Sequence, residues 1–375
     1  MSRAVDAARF TAGPSREPGV PAEPSGVPAV APGAPNAPGA PGAPGTASGA
    51  PGQPAPGAEG STRGARLAAW AELLRLPALF TVPGDALAGT AAAGSRPGPR
   101  TLLAIGSSLC LYEAGMALND WADRAEDAVE RPHRPLPSGR IRPAAALVAA
   151  GALTGAGLAL AAGAGRPALG VAVPLAATVW AYDLALKHTP AGPAAMATAR
   201  GLDLLLGAAA TGGGRRAALP SAALLGGHTL AVTAVSRRET TGGSVLAPLA
   251  ALATAGALTG LVTSRRTRLP AGRRAAAAPG LPGSTPASPV TRALTSALGA
   301  AYAATAARPY FHAVLNPSPP LTQRAVGGGI RATVPLQAAL AARSGAGATS
   351  LTIAALAPAG RWFAKRAAMR KVSIT

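Results

Sequence analysis

From Arg63 onward the chain is a succession of apolar segments separated by short polar stretches. Each segment is close to the roughly 20 residues that an α-helix needs to cross the hydrocarbon layer of a membrane. Consecutive segments have no polar face for water, which disfavours the alternative of a soluble all-α protein with Ala-rich helices. We therefore predict an all-α membrane protein, a bundle of about nine transmembrane helices. The segments are 66–94, 100–119, 143–164, 167–185, 190–211, 218–236, 244–264, 289–307 and 323–360, the last being long enough for two helices.

The first 62 residues differ from the rest of the chain. The stretch "APGAPNAPGAPGAPGTASGAPGQPAPG" consists mainly of Pro, Gly and Ala and has few groups to bury. Such a composition cannot offset its ordering entropy, so residues 1–62 are predicted to be a disordered tail. Residues 63–375 are predicted to form one polytopic transmembrane domain, with the Pro- and Arg-rich stretch 265–288 as a loop.

The formal net charge of +20 raises the question of nucleic-acid binding, but aromatic residues make up only 3% of the chain. Bases stack on aromatic side chains, so we expect no nucleic-acid partner. The arginines instead occur in short groups between apolar segments, as they do beside anionic lipid.

Cys110 is the single cysteine, which excludes disulfides and thiolate metal sites, and the four histidines show no zinc spacing.

The arginines also bear on orientation. Five of them follow the second segment, which predicts a cytoplasmic loop of a multi-pass protein in the cell inner (plasma) membrane. With nine helices, however, the Arg-rich stretch 265–274 and the tail "RWFAKRAAMRKV" fall on the opposite side, and counting charges leaves this conflict open. The five arginines are Arg124, Arg131, Arg134, Arg140 and Arg142.

Acidic residues cluster after the second segment, in "NDWADRAEDAVERPHRPLPSGRIR". Asn119, Asp123 and Asp127 are spaced by four, and Asp120 lies three residues before Asp123. These spacings place the side chains on one face of a helix. Glu113, seven residues before Asp120, extends that face into the membrane segment. An ionisable residue at that depth is costly and is a functional candidate.

Like charges this close repel unless a cation lies among them. Carboxylate and amide oxygens are ligands that suit Mg²⁺, which is often shared with substrate phosphates. Arg131 and Arg134 add planar donors that match phosphate oxygens. The residues thus predict a diphosphate site at a membrane surface. The alternative is a solvated helix end with short-range Asp–Arg pairs; the common face and Glu113 favour the metal site.

The segment "NDWADRAED" has the form NDxxDxxxD, and "RPHRPLPSGRI" follows it. This pattern resembles the first aspartate-rich motif of the UbiA superfamily of intramembrane prenyltransferases. Within the superfamily, "ELLRLPALFTVPGDALAG" and "AYDLALKHTPAGP" are similar to the EboC-like bacterial branch. The resemblance extends over roughly 65–375 in helix count and order. It implies nine transmembrane helices around a central cavity, Mg²⁺ held by two aspartate-rich motifs, a prenyl diphosphate donor and an acceptor near the cavity wall.

The resemblance also implies roles for individual residues. Asn119, Asp123 and Asp127 would be the metal and diphosphate ligands. Tyr182 and Lys187 in "YDLALK" match a Tyr and a Lys that contact diphosphate after the fourth helix. The predicted catalytic residues are Glu113, Asp120, Asp123 and Asp127, and the predicted diphosphate-binding residues are Arg131, Arg134, Tyr182, Lys187, Arg200, Arg237 and Glu239.

The chain departs from the family pattern between the sixth and seventh helices. Family members usually carry a DxxxD motif there, whereas "AVTAVSRRETTGGS" retains only Glu239 as an acidic residue. Arg237 and Arg238 accompany it and could replace metal charge against a diphosphate. The same departure also fits a site that binds without turning over.

The predicted function is Mg²⁺-dependent transfer of a prenyl group from a prenyl diphosphate to an acceptor that the sequence does not identify. For a hydroxyl acceptor, Glu113, Asp203 or Glu239 could act as the base. The main alternative is a degenerate family member that binds or carries an isoprenoid lipid. A lipid phosphotransferase is disfavoured because its "DG…AR" signature is not found.

Overall fold

The computed structural model describes residues 56–212, 214–239, 242–264 and 288–372; the side chains of residues 56–62, 76–78 and 364–372 are outside this description. The described residues are helical and contain no β-strand, which confirms the all-α class. Among them, five helices are long and apolar enough to cross a membrane, so the count of nine stays a prediction. The five spans are Pro99–Ala122, Pro143–Ala164, Arg166–Leu186, Arg215–Ser236 and Leu246–Thr263.

The first half of the described chain runs from Pro56 to Ala210. Several of its helices begin at or beside a proline, whose fixed φ suits the first helical turn and whose missing N–H has no partner there in any case. The helices are α1 (Pro56–Leu73), α2 (Pro83–Ala92), α3 (Pro99–Ala122), α4 (Arg124–Glu130), α5 (Pro143–Ala164), α6 (Arg166–Ala181) and α7 (Gly192–Ala210).

The second half contains five long helices. The predicted segment 323–360 forms two of them, and Gly345, with φ of +83°, supplies the left-handed turn between the two. The predicted loop 265–288 lies outside the described residues except for its last residue. The helices are α8 (Arg215–Ser236), α9 (Leu246–Thr263), α10 (Pro289–Leu315), α11 (Pro319–Arg343) and α12 (Gly347–Val372).

The predicted segment 66–94 is not one helix. After α1 the backbone turns at Arg75, which has φ of +48°, then forms a 3-10 turn over Leu76–Thr81 before α2 begins. Pro77 and Pro83 lack a backbone N–H and so favour a break in this stretch. Residues 1–55 of the predicted tail lie outside the described residues, and α1 begins at Pro56, within the range assigned to that tail.

Helices α2 and α7 approach each other closely at two glycines. A Cβ added to Gly89 would lie 1.8 Å from the carbonyl oxygen of Leu204, and one added to Gly207 would lie 2.1 Å from that of Ala86. Small residues permit such backbone contact between membrane helices. The contact fixes the polar side chains of α2 against those of α7.

Helix α11 contributes more buried residues than any other helix in the described part of the chain. It packs against α2, α8, α10 and α12, and its side chains from Ala332 to Ala342 are nearly all buried. Gln337 is fully buried and donates from Nε2 to the carbonyl oxygen of Thr81 at 2.8 Å and to Oδ1 of Asp85 at 2.6 Å. The C-terminal half thereby holds α2 in position.

Candidate active site

The spacing of four in the acidic motif is realised as consecutive helical turns. The backbone N–H of Asp123 donates to the carbonyl oxygen of Asn119 at 2.9 Å, and that of Asp127 donates to Asp123 at 2.8 Å. These hydrogen bonds continue the helical turns across the junction between α3 and α4. The three side chains therefore follow one helix face, as the spacing predicts.

The stretch after the motif is anchored rather than free. Leu136 and Ile141 are buried against α1, α3 and α5. Arg140 donates to Oε2 of Glu72 at 2.8 Å and to the carbonyl oxygen of His133 at 2.6 Å. Both ends of "RPLPSGRI" are thus tied to the bundle, which gives Arg134 a fixed place beside the motif.

Arginines surround two of the motif carboxylates. Nη1 of Arg134 lies 2.6 Å from Oδ2 of Asp127 and 3.6 Å from Oδ1 of Asp120. Arg131 lies 3.6 Å from Asp127, and Nη2 of Arg75 lies 3.0 Å from Oδ1 of Asp120. Both carboxylates are buried, so pairing with guanidinium groups compensates their lost hydration. The same guanidinium groups are the donors that phosphate oxygens bind best.

A π-helical turn over Tyr182–Leu186 follows α6 and faces the motif. In it the N–H of Lys187 donates to the carbonyl oxygen of Tyr182, five residues back, at 2.9 Å. Such turns occur frequently at functional sites because they redirect side chains. Here Oδ1 of Asp183 accepts from Nδ2 of Asn119 at 3.1 Å, and Nζ of Lys187 forms an ion pair with Asp123. The turn joins α6 to the acidic face.

Three potential ligands lie together at the end of α3. Asp123, Glu126 and His188 each offer one atom, and these atoms are all within 4.8 Å of one another. The predicted set of Asn119, Asp123 and Asp127 stays a prediction, and Asp127 forms ion pairs with Arg131 and Arg134. Glu126 and His188 are therefore additions that helical spacing alone did not identify.

An apolar cavity of about 330 Å³ opens beside this polar cluster, between α3, α6 and α7. Asn119, Tyr182 and Asp183 line it at the motif end, and Arg75 also contributes to its wall. Most of the remaining wall is apolar, from Leu111, Met116, Leu175, Val179, Met196 and Ala199. Its volume lies at the lower end of the range for ligand pockets.

The far end of the cavity carries a second polar group. Nη1 of Arg200 lies 3.0 Å from Oδ2 of Asp85, which is fully buried. Asp203, one turn further along α7, accepts a short hydrogen bond from the hydroxyl of Ser108. Arg200, Asp203 and Ser108 all line the cavity. The cavity thus has charged groups at both ends and an apolar middle.

Glu113 does not line this cavity. It is buried in α3, and both of its carboxylate oxygens lack a hydrogen-bond partner among the residues that the structure describes. Its predicted role as a catalytic residue stays a prediction, since the described contacts give it neither a metal ligand set nor a neighbouring base or acid.

Residues 79–241 match the model of the UbiA prenyltransferase family, and the fold agrees with solved structures of UbiA homologues. This stretch, which is somewhat less than half of the chain, is similar to the UbiA prenyltransferase family. Two curated relatives are digeranylgeranylglyceryl phosphate synthases. The one from Methanothrix thermoacetophila is 38% identical over 28% of this chain and 40% of its own length. The one from Natronomonas pharaonis is 31% identical over 44% of this chain and 61% of its own length.

These alignments span about half the length of the curated relatives. A structure of a UbiA homologue from Archaeoglobus fulgidus, described as bound to DMAPP and Mg²⁺, matches with a TM-score of 0.50. That match has 16% sequence identity and covers 76% of this chain and 99% of the homologue. At this identity the match establishes a UbiA fold, and substrates remain to be argued from the site.

The predicted position of the second motif is the stretch after α8. Arg237 donates to the carbonyl oxygen of Thr189, which ties this stretch to the turn after Lys187. Burial raises the pKa of Glu239, and the charge of Arg131 partly offsets that increase. The loop of the second motif therefore faces the loop of the first, although its acidic content is reduced to Glu239.

Three further residues at the site were not identified from the sequence. Arg75 pairs with the motif, Asp85 pairs with Arg200, and Gln337 holds Asp85. Arg75 and Asp85 are two of the four ionisable residues in the predicted apolar segment 66–94, and an ionisable residue in a membrane helix is a signal for function. Gln337 gives no comparable signal, because a single amide side chain in a helix can have a structural role as easily as a functional one.

Proposed function

We propose that this protein is a UbiA family member and transfers a prenyl group from a prenyl diphosphate to an acceptor within the membrane. The observation that carries the proposal is the juxtaposition of carboxylates and cationic side chains at the end of an apolar cavity. The names of the curated relatives, which are synthases of a digeranylgeranylglyceryl phosphate, agree with such an activity.

The polar end of the cavity suits a diphosphate. Arg75, Arg134 and Lys187 each pair with a motif carboxylate and could exchange part of that contact for phosphate oxygens. Asp123 and Glu126 offer the carboxylate oxygens that Mg²⁺ prefers, so the residues present fit this ion. When bound, Mg²⁺ would supply positive charge to the leaving diphosphate.

The apolar part of the cavity suits the isoprenoid chain. In the proposed reaction the C–O bond to the diphosphate breaks, and both electrons leave with the diphosphate. Apolar side chains in the cavity wall, such as those of Leu111 and Val179, exclude water from the resulting allylic cation. The acceptor oxygen then bonds to the allylic carbon, and its proton passes to a carboxylate. Of the three predicted bases, Asp203 is the one that lines the cavity.

The acceptor is proposed to carry a hydroxyl group. The product in the relatives' names contains a glyceryl phosphate, a class of molecule with alcohol groups. Asp203 beside Ser108 gives the cavity a carboxylate that could receive the proton of such an alcohol.

Pyrophosphate release separates the proposed transferase from a carrier. The full-length protein in phospholipid nanodiscs is incubated with geranylgeranyl diphosphate, Mg²⁺ and a glycerophosphate alcohol. We expect pyrophosphate release that stops when EDTA removes the ion and returns when Mg²⁺ is added back. Saturable binding of the donor with no pyrophosphate release under any of these conditions would support the carrier alternative and reject the transferase.

We also propose that the site faces the cytoplasm from the plasma membrane. The arginines around the motif support this orientation. Because the segment 323–360 forms two helices, α12 would end on the motif side if each long helix from α3 crosses once. Arg361 then lies on the same side as the motif arginines, whereas Arg166, Arg215 and Arg216 lie at the opposite helix ends.

The orientation can be tested in a Cys110→Ser background with His133→Cys in the exposed part of the motif loop. A membrane-impermeant maleimide is expected to label the introduced cysteine only after the cells are opened. Labelling of intact cells at the same rate would place the motif loop on the outside and contradict the orientation.

A further inference from the structure

A second cluster of basic side chains lies between α10 and α11, outside the acidic motif. Arg308, His312, Arg324 and Arg331 line a surface cavity of about 270 Å³ together with Pro309 and Leu321. All four basic residues are exposed. None of the carboxylates in the described part of the chain pairs with any of them.

The cluster is at the same end of the bundle as the motif. The N–H of Gly243, in the stretch after α8, donates to the carbonyl oxygen of Pro317, in the turn between α10 and α11. At 1.5 Å per residue, Arg308 is roughly 10 Å from the end of α10 and Arg331 roughly 18 Å from the start of α11. Exposed arginines at such depths in a membrane are costly unless their charge is compensated.

A glycine reduces the depth of the innermost arginine. A Cβ added to Gly327 would lie 3.3 Å from Nη1 of Arg331, so the guanidinium lies over the space where a side chain would be. This places the charge of Arg331 about one helical turn nearer the start of α11, towards Arg324. The charged groups of the basic side chains therefore lie together at the opening of this surface cavity instead of being spread along the two helices.

No acidic residue of the same half of the chain can neutralise this charge. Glu239 is the last acidic residue, and residues 240–375 contain 15 Lys and Arg and no Asp or Glu. The four basic side chains repel one another, and this half of the chain has no carboxylate side chain to compensate them. The compensating anion must therefore come from outside residues 240–375. Guanidinium groups bind phosphate oxygens in bidentate fashion, and basic pockets between membrane helices are suited to anionic headgroups.

We propose that Arg308, His312, Arg324 and Arg331 bind the phosphate headgroup of an anionic phospholipid. The surrounding surface favours a lipid over free phosphate, because Phe311, Leu315 and Ile330 on the same two helices are about half or more exposed. Acyl chains could cover these side chains while the headgroup meets the arginines. The site is separate from the diphosphate site, since it uses α10 and α11 and neither the motif nor its cavity.

Native mass spectrometry of the full-length protein tests the proposal without any prenyl donor, so its outcome does not depend on the proposed enzymatic function. The protein is equilibrated with equal amounts of phosphatidylglycerol and phosphatidylcholine, and retained lipids are counted. Wild type is expected to retain phosphatidylglycerol preferentially. The Arg324→Gln/Arg331→Gln variant should weaken this retention about 25-fold, because each arginine near an anionic lipid strengthens binding roughly fivefold.

The matched control is Arg215→Gln/Arg216→Gln, which removes two exposed arginines at the start of α8. Its phosphatidylglycerol retention is expected to equal that of wild type. If the first double variant does not fold, Arg324→Gln alone, in an exposed position, should still weaken retention about fivefold. Equal retention in wild type and folded cluster variants overturns the proposal. So does an equal affinity for both lipids, or displacement of the lipid by millimolar inorganic phosphate.

Discussion

The Asp123→Ala variant is expected to release pyrophosphate from a prenyl diphosphate at least about 100-fold more slowly than wild type, the size of effect seen when one charge-stabilising group is removed from an active site. Asp123 links the acidic motif to the segment that follows the π-helical turn. It pairs with Lys187 after the π-helical turn and contributes to the potential ligand group with Glu126 and His188. Its loss removes a ligand and leaves Lys187 without its carboxylate.

The assay uses purified protein in nanodiscs with saturating Mg²⁺, and size-exclusion profiles verify that the variants are folded. Glu130→Ala is the matched control, since Glu130 is an exposed carboxylate in the short helix α4, which begins directly after Asp123. It should keep at least half of the wild-type rate. The site assignment is wrong if a folded Asp123→Ala protein retains more than a tenth of the wild-type rate.

Much of the helical architecture could be predicted because apolar length is a local property. The segment 143–164 coincides with α5, and 100–119 lies within α3. Two of the predicted segments contain local breaks, and the length of 323–360 already allowed two helices. The segment 66–94 is interrupted where Arg75 adopts a left-handed backbone, and 323–360 divides at Gly345. Apolar periodicity does not register a single-residue change of backbone conformation.

The acidic half of the site could be predicted from spacing, and its partners could not. Asn119, Asp123 and Asp127 follow one face because helical geometry links residues four apart. Arg75 and Asp120, by contrast, are 45 residues apart in the sequence, and Gln337 and Asp85 are 252 apart. Contacts of that range depend on how the helices pack, which a single sequence does not contain.

Arg200→Met is expected to destabilise the fold by about 3 kcal/mol, the cost of leaving one member of a buried ion pair without its partner. The carboxylate of Asp85 is fully buried and lies 3.0 Å from Nη1 of Arg200. Gln337 donates to the other carboxylate oxygen, so the guanidinium is the only described side-chain cation beside Asp85. Methionine keeps the length and apolar stem of Arg200 but removes the charge.

Thermal unfolding in detergent measures this effect, and a loss of roughly 5–10 °C is expected for a domain of this size. The double variant Asp85→Asn/Arg200→Met provides the matched control, because it removes the charge that would be left unpaired. It should unfold at a temperature at least halfway back to that of wild type, as expected for two residues that interact directly. If Arg200→Met unfolds like wild type and yet loses pyrophosphate release, then Arg200 contributes to substrate binding alone. In that case the Asp85–Arg200 pair does not stabilise the α2–α7 contact.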